Sequence, residues 1–219
     1  MKNLLVFGDS NSWGFTDKGE GQRYDKRWPI VFVDYLNEIG ISCNLKEDSL
    51  PGRTTDIDDE RDGNHLNGSR VFKSSLLAHS PIDMVLLMLG TNDLKERFNK
   101  QPEDVANGIE KLITIAQTTF SGVGSWHDQN FSKVIILCPP TLGELSNNSQ
   151  WPNYGEWKGG FEKSQTLYRS YEKVCSKKKV QLIDSNLLIQ SSVQDPIHWS
   201  KSSHKIFGEE IAKIISNKY

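Results

Sequence analysis

The chain has 219 residues, 36% of them hydrophobic, with 26 Lys and Arg against 28 Asp and Glu and a formal net charge of -2. That is enough apolar material for one sizeable core, so a single domain over residues 1–219 is expected. Balanced charge without a long run of one sign argues against nucleic acid or an anionic membrane surface as a partner, and no apolar run has the length of a membrane span.

Met1-Lys2-Asn3 leads directly into Leu4, Leu5, Val6 and Phe7, without a signal-peptide pattern. This short unalternating run predicts a buried strand of a parallel sheet. It stops at Gly8-Asp9-Ser10. Reactive groups in open α/β sheets collect where strand carboxyl ends meet their loops, which makes Ser10 a candidate nucleophile; read locally, the same serine is also a good helix cap. Residues 28–39 place Ile30, Val31, Val33, Tyr35 and Leu36 at helical spacing, closed by Gly40. Residues 41–49 predict a more polar edge strand, followed by Pro51-Gly52-Arg53. A second helix is predicted over 70–79, before Pro81.

Residues 83–89, the most apolar run of the chain, predict a central strand that stops at Gly90-Thr91-Asn92-Asp93. Residues 102–118 carry Val105, Ile109, Leu112, Ile113 and Ala116 at helical spacing, with Pro102 in the first turn. Then come a predicted strand at 133–138, a helix at 161–177, a strand at 180–184 and a closing helix at 202–217. Strand and helix alternate throughout, which argues a parallel sheet covered by helices on both faces. The basic run Lys177 to Lys179 suits the negative end of a helix. Two loops are long, 120–131 and 141–160, and the second carries Trp151, Tyr154 and Trp157, suited to the wall of a site or to a subunit interface.

Cys43, Cys138 and Cys175 have neither metal-ligand spacing nor the density of a disulfide scaffold, so a reduced, cytoplasmic protein is expected. Asn-x-Ser sequons at Asn67, Asn130 and Asn147 are then without consequence. No metal and no cofactor is predicted.

Nucleophilic serine chemistry needs a base, a carboxylate to orient that base, and donors for an oxyanion. Asp195-Pro196-Ile197-His198 offers the first two, because one turn brings residues three apart to the same side. Gly8-Asp9-Ser10, Gly52, Gly90-Thr91-Asn92-Asp93 and Asp195-x-x-His198, in this order and over nearly the whole chain, resemble the SGNH, or GDSL, hydrolase family. The flanks GDSNSWGF, GRTT, Asp58-Asp59 and MLGTND resemble its arylesterase and acyltransferase branch. The expected fold is a flavodoxin-like three-layer α/β/α sandwich with a central parallel sheet of about five strands.

The resemblance implies Ser10 as nucleophile, His198 as general base and Asp195 as its orienting partner. It further implies the amides of Ser10 and Gly52 and the side chain of Asn92 as oxyanion donors. Asn11, Trp13, Arg53, Trp151 and Trp157 are assigned to substrate contact, with an ion pair to Asp56 or Asp58 as the other reading of Arg53. Asp9 and Asp93 are expected to be structural and His204 to be packing or surface, while His65, His79 and His127 have no partner pattern. The expected activity is hydrolysis of short-chain carboxylic esters, with acyl transfer to alcohols, on a small-molecule ester; self-association into a homo-oligomer stays open. Carbohydrate O-deacetylation is the alternative within enzymes. A non-catalytic flavodoxin-like ligand-binding module is the alternative outside them, disfavoured by the lack of phosphate-loop patterns.

Overall fold

The computed structural model describes residues 1–19, 21–124 and 128–217; His127 and the middle of the 120–131 loop lie outside the described residues. The strands β1 (Lys2–Gly8), β2 (Cys43–Ser49), β3 (Met84–Met88), β4 (Lys133–Cys138) and β5 (Gln181–Asp184) form one parallel sheet in the order β2-β1-β3-β4-β5. The chain leaves β1 toward β2 and returns past it to β3. Between the carboxyl ends of β1 and β3 the order reverses, which is where open α/β sheets hold their ligands. Register places Gly8 level with Ser49 on one side and with Met88 on the other.

The described residues form seven α-helices, α1 (Ser10–Trp13), α2 (Trp28–Glu38), α3 (Gly68–His79), α4 (Pro102–Thr118), α5 (Tyr154–Trp157), α6 (Gly160–Lys178) and α7 (Lys201–Ser216), of which the five longer ones match the predicted helices. Side chains alternate along each strand, so each face of the sheet builds its own core. Leu5, Phe7, Val85 and Leu87 meet Phe72 and Leu76 of α3, Ile109 and Leu112 of α4 and Leu167 of α6. Leu4, Val6 and Leu86 meet Trp28 and Phe32 of α2 and Phe207 and Ile211 of α7. The polar strand β2 lies at the sheet edge, as its composition predicts.

The structure departs from the pattern where tertiary contacts act. The helix predicted from residue 70 begins at Gly68, because the Asn67 side chain accepts from the Ser69 amide and caps it there. Only glycine fits at 68, since a Cβ would press on the Thr54 carbonyl. The 141–160 segment, read as a loop, contains α5, whose Trp157 is drawn into the core. Lys177 and Lys178 reach Glu110 on α4, a tertiary pairing beyond any dipole effect.

Gly90 ends β3 at φ 124°, and a Cβ there would overlap the Tyr171 hydroxyl, which donates to the Leu89 carbonyl at 2.8 Å. Gly90→Ala should therefore destabilise the fold by at least about 1–3 kcal/mol, the usual cost of a strained backbone region, with displacement of Tyr171 added. Urea unfolding of the variant against wild type measures it.

Candidate active site

β1 ends at Gly8, where a side chain would collide with Ser12, so glycine alone lets the chain turn at once into α1. The Asp9 side chain caps this single turn by accepting from the Asn11 amide at 3.0 Å. The turn holds Ser10 at the switch point. Across from it, Asp195 Oδ1 accepts the amides of Ile197 at 2.9 Å and His198 at 3.1 Å, folding residues 195–198 into a tight turn. His198 Nδ1 lies 2.6 Å from Asp195 Oδ2. An ionised carboxylate can only accept, so Nδ1 carries the proton and Nε2 presents its lone pair to Ser10 Oγ, 3.2 Å away. Phe15 stacks on the imidazole with centroids 4.5 Å apart, a contact that no sequence signal announced.

Burial alone would raise the Asp195 carboxyl; the His198 hydrogen bond and charge, with the two amides, bring it below the usual range. It is therefore ionised at neutral pH. The structure thus brings Ser10, His198 and Asp195 into one hydrogen-bonded line.

Gly52 and Asn92 flank the same point. Gly52 turns at φ 86° after β2, a conformation that strains any side chain. Neither its amide nor that of Ser10 has an acceptor among the described residues. Asn92 Nδ2 donates one hydrogen to the Arg53 carbonyl at 3.2 Å, which orients the amide and leaves its second hydrogen for another acceptor.

Three of the residues assigned to substrate contact are engaged with other groups of the protein. Arg53 is only 4% exposed. Its guanidinium pairs with Asp48 at 2.8 Å, donates to the carbonyls of Asp48 and Gly8, and lies 4.2 Å over the Phe7 ring. The predicted partners are taken: Asp56 holds Lys111, and Asp58 holds Arg70 and Asn67. Asn11 is 2% exposed and turns inward, donating to the Ile197 carbonyl at 3.0 Å. Trp157, 6% exposed, packs in the core with Leu94, Leu142 and Ile197, which removes it from both an open wall and a subunit interface. Trp151 packs half-buried on the same cluster. Trp13 stays partly exposed beside Ser10, with the Arg23 guanidinium 5.0 Å over its ring.

A charge network that the sequence did not suggest straps these loops together. Arg97 donates to Asp59 and Glu156, both at 2.6 Å, and Glu156 also holds Lys95 at 3.3 Å. His204 is a packing residue, as expected: its Nδ1 accepts from the Trp28 amide at 3.3 Å, and burial lowers its pKa to about 3, which keeps it neutral. Among the described residues no cluster of His, Cys, Asp and Glu could hold a metal ion, and no helix is long and apolar enough to cross a membrane.

A parallel sheet with a serine, an imidazole and a carboxylate in line at its switch point defines the class: a serine-type carboxylic ester hydrolase. The chain belongs to the GDSL-like lipase/acylhydrolase family, which matches residues 4–211. Among solved structures it is similar to the inhibitor-bound form of the M. smegmatis aryl esterase, with 32% identity, 99% of each chain covered and a TM-score of 0.89. The native form of that esterase aligns at 33% identity, again over 99% of each chain, with a TM-score of 0.88. A carbohydrate acetylesterase from Sinorhizobium meliloti aligns over 100% of both chains at 32% identity and a TM-score of 0.89. No curated protein sequence matches the chain.

Two further carboxyls, Asp9 and Asp93, are fully buried near the nucleophile turn, and burial raises each to about 6 from an ordinary value of 3.8. Asp93 accepts from the amide of Thr55 at 3.0 Å and from its hydroxyl. Each holds a proton in the folded state that the unfolded chain releases near pH 4. The stability this confers is present at acid pH and is lost as pH rises through 6. Asp93→Asn keeps the shape and the acceptor for Thr55 but removes the titration. Between pH 4 and 7 its unfolding free energy should fall by about 2 kcal/mol less than that of wild type, read from urea titrations at the two pH values.

Proposed function

We propose that the chain hydrolyses short-chain carboxylic esters through an acyl-enzyme on Ser10 and passes the acyl group to alcohols as well as to water. The observation that carries this reading is the line from Ser10 Oγ to His198 Nε2 at 3.2 Å and from His198 Nδ1 to Asp195 at 2.6 Å. Ser10 attacks the ester carbonyl while His198 takes its proton, and the ionised Asp195 stabilises the imidazolium that forms. The oxyanion accepts from the Ser10 and Gly52 amides and from the second hydrogen of Asn92 Nδ2. His198 then protonates the leaving alkoxide. In the second half it deprotonates water or an alcohol, which attacks the acyl-enzyme and frees Ser10.

The aromatic rings of Trp13 and Phe15, the latter stacked on His198, support a preference for short acyl groups. A second reading, removal of acetyl groups from carbohydrates, is favoured by the similarity to the S. meliloti acetylesterase. The three free cysteines, two of them buried, accord with a reduced, cytoplasmic setting.

Ser10→Ala and His198→Ala should each lower kcat on p-nitrophenyl acetate by about 10³-fold or more, and the double variant should be no worse, because the two residues act as one unit. Additive losses, or near-normal activity in His198→Ala, would remove the assignment. For the substrate, activity is compared from acetate to octanoate esters, with a primary alcohol in water, and on acetylated monosaccharides. Hydrolysis should fall with chain length, Trp13→Ala should flatten that fall, and an ester of the added alcohol should accumulate. Faster turnover of sugar acetates than of simple acetates selects the second reading.

A further inference from the structure

Ser10 and Asn11 are adjacent in sequence, as are Ile197 and His198, and the two pairs meet at two points. Ser10 Oγ faces His198 Nε2 at 3.2 Å, and beside it Asn11 Nδ2 donates to the Ile197 carbonyl at 3.0 Å. The second contact is buried, so water does not compete for it. Both of its ends are anchored. The Asn11 amide donates to Asp9 Oδ1, and the Ile197 amide donates to Asp195 Oδ1, whose other oxygen holds the imidazole. A closed ring of bonds thus runs from Asp9 through Asn11, Ile197, Asp195 and His198 back to Ser10.

Two features separate this contact from ordinary packing. Asn11 Oδ1 is buried with no partner, so the amide is held in place as a donor although half of its hydrogen-bonding capacity is wasted. A residue serving only to fill this space would be better apolar. His198, moreover, arrives on a segment without regular structure between β5 and α7. Of that segment's other backbone hydrogen bonds, the one from the Gly143 amide to the Pro196 carbonyl ties it to the loop after β4, and the one from the Ser192 amide to the His198 carbonyl is internal to the segment. Asn11 ties it to the turn that carries the nucleophile.

We propose that Asn11 is a positioning residue for the acid–base step, its side-chain amide clasping the Ile197 carbonyl so that His198 stays within hydrogen-bond reach of Ser10. The inference rests on the reading of Ser10 and His198 given above. Asn11 touches no reacting atom. It acts by keeping the base from drifting, and a displacement near 1 Å at a reacting pair costs about 10²-fold in rate.

The test compares wild type with Asn11→Leu, which keeps the volume and removes the donor, and with Asn11→Asp, which keeps the shape and turns an acceptor toward the Ile197 carbonyl. Three quantities are measured where circular dichroism shows the protein folded: kcat, KM on a short ester, and the rate at which an uncharged fluorophosphonate labels Ser10. In both variants kcat and the labelling rate should fall roughly 10- to 100-fold with KM nearly unchanged. Wild-type labelling in Asn11→Leu overturns the clasp, as does a loss confined to KM, which would make Asn11 a substrate contact. Failure of both variants to fold would make the bond structural and also overturn it. A wild type that turns over ester but does not label at Ser10 removes the underlying assignment itself, an outcome distinct from the others.

Discussion

A single buried guanidinium, that of Arg53, is the interaction on which the arrangement of the site depends. It grips the carboxyl ends of two adjacent strands, through the Gly8 carbonyl of β1 and both the carbonyl and carboxylate of Asp48 in β2. Through the backbone the same residue adjoins Gly52, and its own carbonyl orients Asn92. All three proposed oxyanion donors are therefore referred to one rigid point. A planar fork can serve several acceptors at once, as a lysine ammonium on a flexible stem cannot. The burial of the charge is offset by the Asp48 carboxylate and by the face of Phe7. Burial would raise the Asp48 carboxyl, but the nearby Ser75 hydroxyl and the hydrogen bond and charge of Arg53 hold it below the usual range, so the pair is ionised.

Three carboxyls near the nucleophile are shifted in opposite directions by different surroundings. Asp195 is bonded to an imidazole and two amides and remains charged. Asp9 and Asp93 have fewer or neutral partners and full burial, which disfavours their charged forms, and the charge of Asp9 raises Asp93 further. Negative charge is thereby favoured at Asp195, where an imidazolium would form, and made more costly at Asp9 and Asp93, which still ionise above about pH 6. One fold separates these demands by burial and hydrogen bonding alone.

The loops above the sheet share a second point of reference. Arg97 and Lys95 follow Asn92 directly and reach both Asp59, beyond the Gly52 turn, and Glu156, in α5. Three segments distant in sequence are thus tied together around the site. Trp157 contributes from below: its ring lies in the core and carries the Lys95 ammonium at 5.5 Å. The aromatic loop supports the site through packing.

Apolar runs and helical spacing were sufficient to locate all five strands and the five long helices within one or two residues, because each element must bury one face whatever its neighbours are. The motif residues were equally legible, Ser10 and Asn92 just past the ends of two strands and Asp195-x-x-His198 as a single turn, since residue type and short spacing are local properties. What the sequence could not decide was which buried polar groups would meet. Arg53 pairs with Asp48 rather than Asp56 or Asp58, although all three lie within five residues of it, because parallel register sets the end of β2 level with the end of β1. Asn11 faces Ile197, 186 residues away, because the last crossover returns the chain to the nucleophile turn. Trp157 is core because α6 and the loop after β4 close over it. Periodicity states that a side chain is buried; only the folded sheet, by setting strand order and register, decides what lies against it.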